Sequence, residues 1–387
     1  MTTRRICVVT GNRAEYGQLY WVLKALRSDK RFDLKLLVTG THLSREHGYT
    51  VQWIRKDGFA VARRIKLSLD DDTPLGVTTA LAGATRGFGE ALRDLKPDWL
   101  LLLGDRYESL AAAQAALIAR VPIAHLCGGD VTEGVIDEAC RHAITKMAHV
   151  HLVTHAASAR RVRQMGEDPR HVHVVGNPAL DSVRRMERLD RNELSRRLGY
   201  AWRERNLLVT YHPVTLGRRS PAEEFRQLLT ALRSLPEDTG FILTRPNPDT
   251  GSRAIDREID RFVRAEPRAK AYAALGSLLY LNAMRQVDAV VGNSSSGISE
   301  APSLGVPTVD IGDRQKGRLA ARSVIRCAAA APSIRRAILQ ALKRGRIKTV
   351  NPYGDGRTSG RVVSILGRIA DPSALIVKRF HEKGPGR

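Results

Sequence analysis

The segment Ala289-Val290-Val291-Gly292-Asn293-Ser294-Ser295-Ser296-Gly297-Ile298-Ser299-Glu300 runs from an apolar stretch into a turn of small residues, then to positions 300–304, which can start a helix. Small residues let a backbone approach a bulky anion. The hydroxyls of Ser294, Ser295 and Ser296 and the N–H groups around Gly297 then face it where a helix dipole favours negative charge. That is the chemistry of a diphosphate cradle, and Glu300, one turn on, is placed to take ribose hydroxyls. The segment implies a nucleotide or nucleotide-sugar ligand, with an ordinary connecting loop carrying a serine N-cap as the alternative. It is not a Walker loop, since no Gly-Lys-Ser/Thr follows. Nor is it a nucleophile elbow, because Ser296 stands where the second glycine belongs.

The same rhythm extends outward along the chain. Apolar runs at 6–10, 32–39, 99–103, 123–126, 150–153, 172–175, 207–211, 240–244, 288–291 and 308–311 alternate with helix-like stretches such as 107–119 and 222–232. Several runs are continuous Val/Ile/Leu, the pattern of strands buried on both faces of a parallel sheet. This predicts an α/β fold of two Rossmann-like, doubly wound parallel-sheet lobes with a ligand cleft between them. The rhythm pauses in the charged stretch 181–205, which sets the expected domains at 1–180 and 181–387, with the last helix able to pack back on the first domain. The polar tail 380–387, with Gly384-Pro385-Gly386, is expected to fray.

Composition narrows the class. With 43% hydrophobic and 27% charged residues in 387, the chain suits a soluble globular protein of two or three domains. No apolar run approaches the length of a membrane span, so no membrane insertion is expected. The first residues enter a strand-like run at once, which points to a cytoplasmic protein. Cys7, Cys127, Cys140 and Cys327 are scattered without a Cys-x-x-Cys, against a disulfide framework or a zinc ribbon, and Cys7 and Cys327 read as core. The net charge of +23 raises nucleic acid as a partner. Yet the basic residues are dispersed, clusters such as Lys343-Arg344-Gly345-Arg346 are short, and aromatics are only 5%. We therefore expect no specific nucleic-acid partner, and part of the charge suffices to attract an anionic substrate.

In open α/β sheets ligands gather beyond the carboxyl ends of strands. There the sequence places Thr10-Gly11-Asn12-Arg13-Ala14-Glu15-Tyr16-Gly17, Gly104-Asp105-Arg106-Tyr107-Glu108, His125-Leu126-Cys127-Gly128-Gly129-Asp130, Tyr211-His212-Pro213-Val214-Thr215, Arg245-Pro246-Asn247, the serine turn and Gly312-Asp313-Arg314-Gln315-Lys316-Gly317-Arg318. The first half collects carboxylates with Arg and His, and the second collects His, Asn, Ser, Arg and Lys. This division assigns acid/base work to one half and anion binding to the other.

Taken in order, these motifs, with Val38-Thr39-Gly40-Thr41-His42 and Ile136-Asp137-Glu138-Ala139-Cys140-Arg141-His142-Ala143-Ile144-Thr145-Lys146, resemble the hydrolysing UDP-N-acetylglucosamine 2-epimerases over about residues 5–330. The resemblance implies the two-lobed fold of GT-B glycosyltransferases and a UDP-sugar substrate. The implied reaction expels UDP from C1 as a base removes the C2 proton, then adds water with inversion at C2, giving N-acetylmannosamine or an analogue. It implies no metal or other cofactor, and a homo-oligomer, dimer or tetramer. By position, Asp105 and Asp137 match catalytic acids, and Arg13 and His42 match residues at the sugar end. His212 matches a residue beside the diphosphate. Asn247, Ser294, Ser295, Ser296, Gly297 and Glu300 match nucleotide contacts, and Arg314 and Arg318 lie where basic residues close over the phosphates.

One position departs from the family. Many members carry a catalytic Glu where this chain has Cys127, and others carry His there and Glu after Gly-Gly. A thiol does not replace a carboxylate at neutral pH unless its pKa is strongly lowered, so Asp130 is expected to share the acid/base role. His142, His149, His151 and His155, near Cys127 and Cys140, match no standard zinc spacing, and His142 is expected to pack behind the active loop. A GT-B glycosyltransferase and a non-catalytic nucleotide-sugar binder are the competing readings.

Overall fold

The computed structural model describes residues 3–71, 73–133, 135–214, 219–246 and 251–382. Among these, one sheet takes β1 (Arg4–Thr10), β2 (Phe32–Thr39), β3 (Val61–Ile65), β4 (Trp99–Leu103), β5 (Ile123–Leu126), β6 (Val150–Val153) and β7 (Val172–Val174), in the order β3-β2-β1-β4-β5-β6-β7. The other takes β8 (Arg205–Thr210), β9 (Thr239–Thr244), β10 (Ala269–Tyr272), β11 (Ala289–Gly292), β12 (Thr308–Ile311) and β13 (Val324–Cys327), in the order β10-β9-β8-β11-β12-β13. Every pairing is parallel. Each sheet is therefore doubly wound. Its order reverses between β1 and β4 in the first and between β8 and β11 in the second, the crevices where α/β sheets take ligands.

Alternation along the strands fills both faces. Ile6 and Val8 join one core with Leu101 and Leu103, while Cys7 and Val9 join the opposite core with Leu100 and Leu102. In the second sheet Leu207 and Val209 face one core and Leu208 the other. The apolar runs of the sequence become these central strands. β3, β10 and β13 were not visible as apolar runs, and all three lie at sheet edges. Val61-Ala62-Arg63-Arg64-Ile65 and Ala269-Lys270-Ala271-Tyr272 are half-solvated there, so polar side chains are tolerated and the apolar pattern disappears.

The chain divides into two compact units. The first holds 1–130, 137–182 and 353–387, and the second holds 131–136 and 183–352. The last helix, Thr358–Arg368, belongs to the first unit. It is held there by Asp181, fully buried, whose carboxylate accepts the N–H groups of Thr358 (2.8 Å) and Ser359 (3.2 Å) and the Ser359 hydroxyl (2.5 Å). Asp181 thus satisfies free N–H groups of that helix and places a negative charge at its positive end.

Of the tail expected to fray, 383–387 lie outside the described residues, and the chain leading into it is tied down. Lys378 Nζ donates to the Ala148 carbonyl (2.5 Å) and pairs with buried Glu167 (2.7 Å), and the His381 N–H donates to the Gly166 carbonyl (2.9 Å).

Asp181→Ala leaves these N–H groups without their partner. It is expected to cost about 2–3 kcal/mol, read as a lower urea midpoint of the transition that includes the first unit.

Candidate active site

In the first unit, the turn after β1 is held by Asn12. Its side chain accepts from Ala14 N–H (2.9 Å) and Glu15 N–H (3.0 Å), capping the helix Arg13–Ser28. The turn after β2 packs against it so closely that a side chain on Gly40 (φ +58°) would place its Cβ 2.6 Å from the Gly11 carbonyl oxygen. Beneath both lies His42, fully buried, with Nε2 bonded to Thr10 Oγ1 (3.0 Å) and Nδ1 to Thr50 Oγ1 (2.7 Å). Burial lowers its pKa to about 4, so the ring is neutral at pH 7. The structure places His42 as a support of the turn that presents Arg13.

After β4 comes Asp105, whose side chain is 22% exposed, gripped by Arg141 through Nε (3.0 Å) and Nη2. Arg141 is itself buried and also donates to the Asp130 carbonyl (2.9 Å) and to Glu138 (2.6 Å). Burial disfavours its charge, but Asp105, Asp130 and Glu138 outweigh that and raise its pKa. Asp137 opens the helix Asp137–Met147, one turn before Arg141 on the same helix face. Asp105 and Glu138 are thus held by one guanidinium, and the Cys140 thiol, pushed up first by burial, is raised further by both Asp137 and Asp105.

Asp130 is a different case from the one expected. Its carboxylate Oδ1 accepts the hydroxyls of Thr154 (2.7 Å) and Ser158 (2.5 Å), with His155 Nε2 at 3.4 Å, and the residue is 5% exposed. It anchors the loop rather than entering the open side of the site. The cause lies three residues earlier: Cys127 is left-handed (φ +68°), as is Gly129 (φ +73°), and these two turns send Asp130 toward Thr154 and Ser158.

The histidines singled out in the sequence serve the scaffold. His149 Nδ1 accepts from Ile123 N–H (3.0 Å), His151 bonds Glu167 (2.9 Å), His155 Nδ1 accepts from Ser158 N–H (3.1 Å) and His142 bonds Glu138 (3.0 Å). Sequence reasoning missed a pair of carboxylates, one buried and one half-buried. Glu108, 2% exposed and paired with Arg106 (3.2 Å), stands beside Glu15. Burial and that neighbouring carboxylate raise the Glu15 pKa to about 7, against the pull of Arg106.

In the second unit, the serine turn begins a helix earlier than expected. Ser294 accepts from Ser296 N–H (3.4 Å), the helix spans Ser295–Ser299, and Ala301–Leu304 continue as a 3-10 turn. Ser295, Ser296 and Gly297 therefore lie in a first helical turn, and Glu300 closes it, its pKa raised to about 7 by burial. Gly292 (φ +138°) admits no side chain, since a Cβ there would overlap the Thr210 carbonyl oxygen.

Asn293, fully buried, is a further residue missed. Its side chain accepts from His212 N–H (2.7 Å) and donates to the His212 carbonyl (2.8 Å). Its own carbonyl accepts from Arg314 Nη1 (3.2 Å) and Gln315 Nε2 (2.9 Å). His212, the serine turn and Arg314 are thereby brought together. Arg318 donates to Thr132 Oγ1 (3.3 Å) in the segment 131–136 of the same unit. Asn247 lies outside the described residues.

Comparison with known proteins bears on family and fold. The profile of the UDP-N-acetylglucosamine 2-epimerase family matches residues 24–367. The chain is 37% identical over 326 residues to the GDP/UDP-N,N'-diacetylbacillosamine 2-epimerase (hydrolyzing) of Campylobacter jejuni, covering 84% of each. It is 35% identical over 375 residues to the UDP-N,N'-diacetylbacillosamine 2-epimerase (hydrolyzing) of Legionella pneumophila, covering 97% of this chain and 98% of that one. The fold matches that of the UDP-GlcNAc 2-epimerase from Neisseria meningitidis bound to UDP-GlcNAc, with a TM-score of 0.80 at 18% identity over 94% of this chain and 100% of that one.

Asn293→Asp keeps the acceptor for His212 N–H but sets an anion against the His212 carbonyl in a buried place. It is expected to destabilise the second unit by about 2–4 kcal/mol, measured by thermal denaturation.

Proposed function

The chain belongs to the UDP-N-acetylglucosamine 2-epimerase family, and we propose that it is a hydrolysing 2-epimerase acting on a UDP-linked 2,4-diacetamido sugar. The observation that carries the acid/base part is the grip of Arg141 on Asp105, with Asp137 one turn before Arg141 on the same helix of the first unit. The choice of sugar is supported by the names of the Campylobacter and Legionella relatives at 37% and 35% identity. UDP-N-acetylglucosamine is the second reading, favoured by the Neisseria meningitidis UDP-N-acetylglucosamine 2-epimerase at 30% identity.

One carboxylate removes the C2 proton as the C1–O bond breaks. The bonding electrons leave with the diphosphate, giving UDP and a 1,2-unsaturated 2-acetamido sugar. Water then adds its oxygen at C1 and loses a proton to a carboxylate, while a proton returns to the opposite face of C2. Asp105 and Asp137 carry these transfers, and Arg141 supplies the charge and two fixed N–H groups that orient Asp105. Arg13 contacts the sugar, with His42 holding its turn in place. In the second unit Ser294, Ser295, Ser296 and Gly297 with His212, Arg314 and Arg318 hold the departing diphosphate, and Asn247 and Glu300 hold the nucleoside.

Turnover of both sugar nucleotides in deuterated water tests the reading. Release of UDP with deuterium at C2 of the product is expected, faster with UDP-N,N'-diacetylbacillosamine, and UDP release without C2 label would overturn it. Asp105→Asn and Asp137→Asn are expected to lower kcat by roughly a hundredfold or more. Asp130→Asn is expected to reduce stability while keeping kcat within about tenfold, since its carboxylate is occupied by Thr154 and Ser158.

Glu300 gives a pH test. Its pKa is raised to about 7, and ribose hydroxyls donate to the ionised form, so binding favours loss of the proton. Uridine affinity measured by calorimetry is expected to rise between pH 6 and 8, and Glu300→Gln to flatten that rise.

A further inference from the structure

Five hydroxyls meet at the carboxyl ends of β8, β9 and β11. Thr210 Oγ1 and Thr244 Oγ1 are 2.6 Å apart, Tyr280 Oη and Ser296 Oγ 2.5 Å, and Ser294 Oγ and Ser296 Oγ 3.1 Å. The Tyr280 hydroxyl also lies close to Thr210 and Ser294, which gathers the five in one place. Thr210, Thr244 and Ser296 are each less than 9% exposed. Tyr280 reaches the group from the helix Gly276–Gln286.

Elsewhere in the protein buried hydroxyls typically hand their hydrogen to a backbone carbonyl: Thr39 to Ile65 (2.7 Å), Ser109 to Leu103 (3.3 Å) and Thr308 to Gly297 (2.7 Å). Among the described residues, these five donate only to one another. A hydroxyl holds one hydrogen and two lone pairs, so a group that donates only within itself has hydrogens that can be redirected without orphaning a carbonyl or a carboxylate. Such a group gains most from an anionic acceptor, because hydrogen bonds to a charged oxygen are about twice as strong as neutral ones. Burial, with the Glu300 carboxyl beside it, pushes the Tyr280 phenol up to about 12, so it stays a donor at neutral pH.

We propose that Tyr280, acting with Thr210, Thr244, Ser294 and Ser296, is a catalytic donor to the leaving diphosphate, its O–H turning from Ser296 to a phosphate oxygen as the C1–O bond breaks. The proton stays on the phenol, and the charge that arrives on the diphosphate is met by hydrogen bonds alone. This rests on the reading of the second unit as the nucleotide half. Tyr280 was absent from the motifs because it lies fourteen residues before Ser294 on a helix whose sequence reads as an ordinary amphipathic segment.

Tyr280→Phe keeps the ring and removes the hydroxyl. In calorimetric titrations the variant is expected to bind UDP about tenfold more weakly and uridine as the unaltered protein does, with kcat for UDP release falling about tenfold or more. Unchanged UDP affinity and kcat, or an equal loss for uridine, would overturn the proposal. If the unaltered protein itself binds neither UDP nor uridine, it is the nucleotide reading that fails. Thr210→Val gives a second break in the same group should Tyr280→Phe lose its thermal transition. A selective loss for UDP over uridine supports the proposal there too, and no selectivity counts against it.

Discussion

The reversal of strand order at β1/β4 and β8/β11 is the constraint on which the chemistry depends. At a reversal, the two neighbouring strands send their crossover helices to opposite faces, and the loops leaving their carboxyl ends have a crevice between them. In the second unit that crevice is built to a tolerance of one atom. Gly292 pairs with Thr210 and has no room for a Cβ. That close approach lets the next residue, Asn293, reach across and take both backbone polar groups of His212. One amide then fixes His212 against the serine turn, while the same residue's carbonyl collects Arg314 and Gln315. None of these groups is positioned by its own loop alone.

In the first unit the carboxylates are sorted by their partners. Asp105 is met by a buried guanidinium, Asp130 by two hydroxyls, and Glu15 by a neighbouring carboxylate that makes its ionisation costly. A charge-assisted grip leaves a carboxylate oriented, whereas hydroxyl donors in a site only 5% exposed use it as scaffold. The substitution at Cys127 fits this sorting. With Cys127 and Gly129 both left-handed, the chain turns away before Asp130. The carboxylate that seemed nearest in sequence is steered elsewhere in space.

Most of this architecture was legible because central strands of a doubly wound sheet must be apolar on both faces. Runs such as Trp99-Leu100-Leu101-Leu102-Leu103 leave little alternative. Edge strands escape that requirement, which is why Val61-Ala62-Arg63-Arg64-Ile65 read as nothing. Loop motifs at strand ends were legible as candidates for the same topological reason. What sequence does not carry is direction: whether a carboxylate faces a guanidinium or two hydroxyls depends on φ values at Cys127 and Gly129. Nor does it carry the neighbours of Tyr280 and Asn293, since side chains far apart in the chain become one hydrogen-bonded group only through the crossing of β8, β9 and β11.

The distribution of charge adds a last step. The net charge is +23, and exposed helix arginines such as Arg86, Arg196 and Arg197 already pair with Glu90 and Glu193. The hydroxyl group at the strand ends carries no charge at all. A long-range positive field draws an anion toward the protein, but a pocket lined only by cations would hold a diphosphate as tightly after the reaction as during it. Neutral hydroxyls that first satisfy one another and then turn to a phosphate oxygen trade neutral hydrogen bonds for stronger charge-assisted ones as the charge appears. When the product leaves, they have each other as partners again, so its departure exposes no unpaired donor. In the role proposed for Tyr280, the same internal bonding eases the departure of the product.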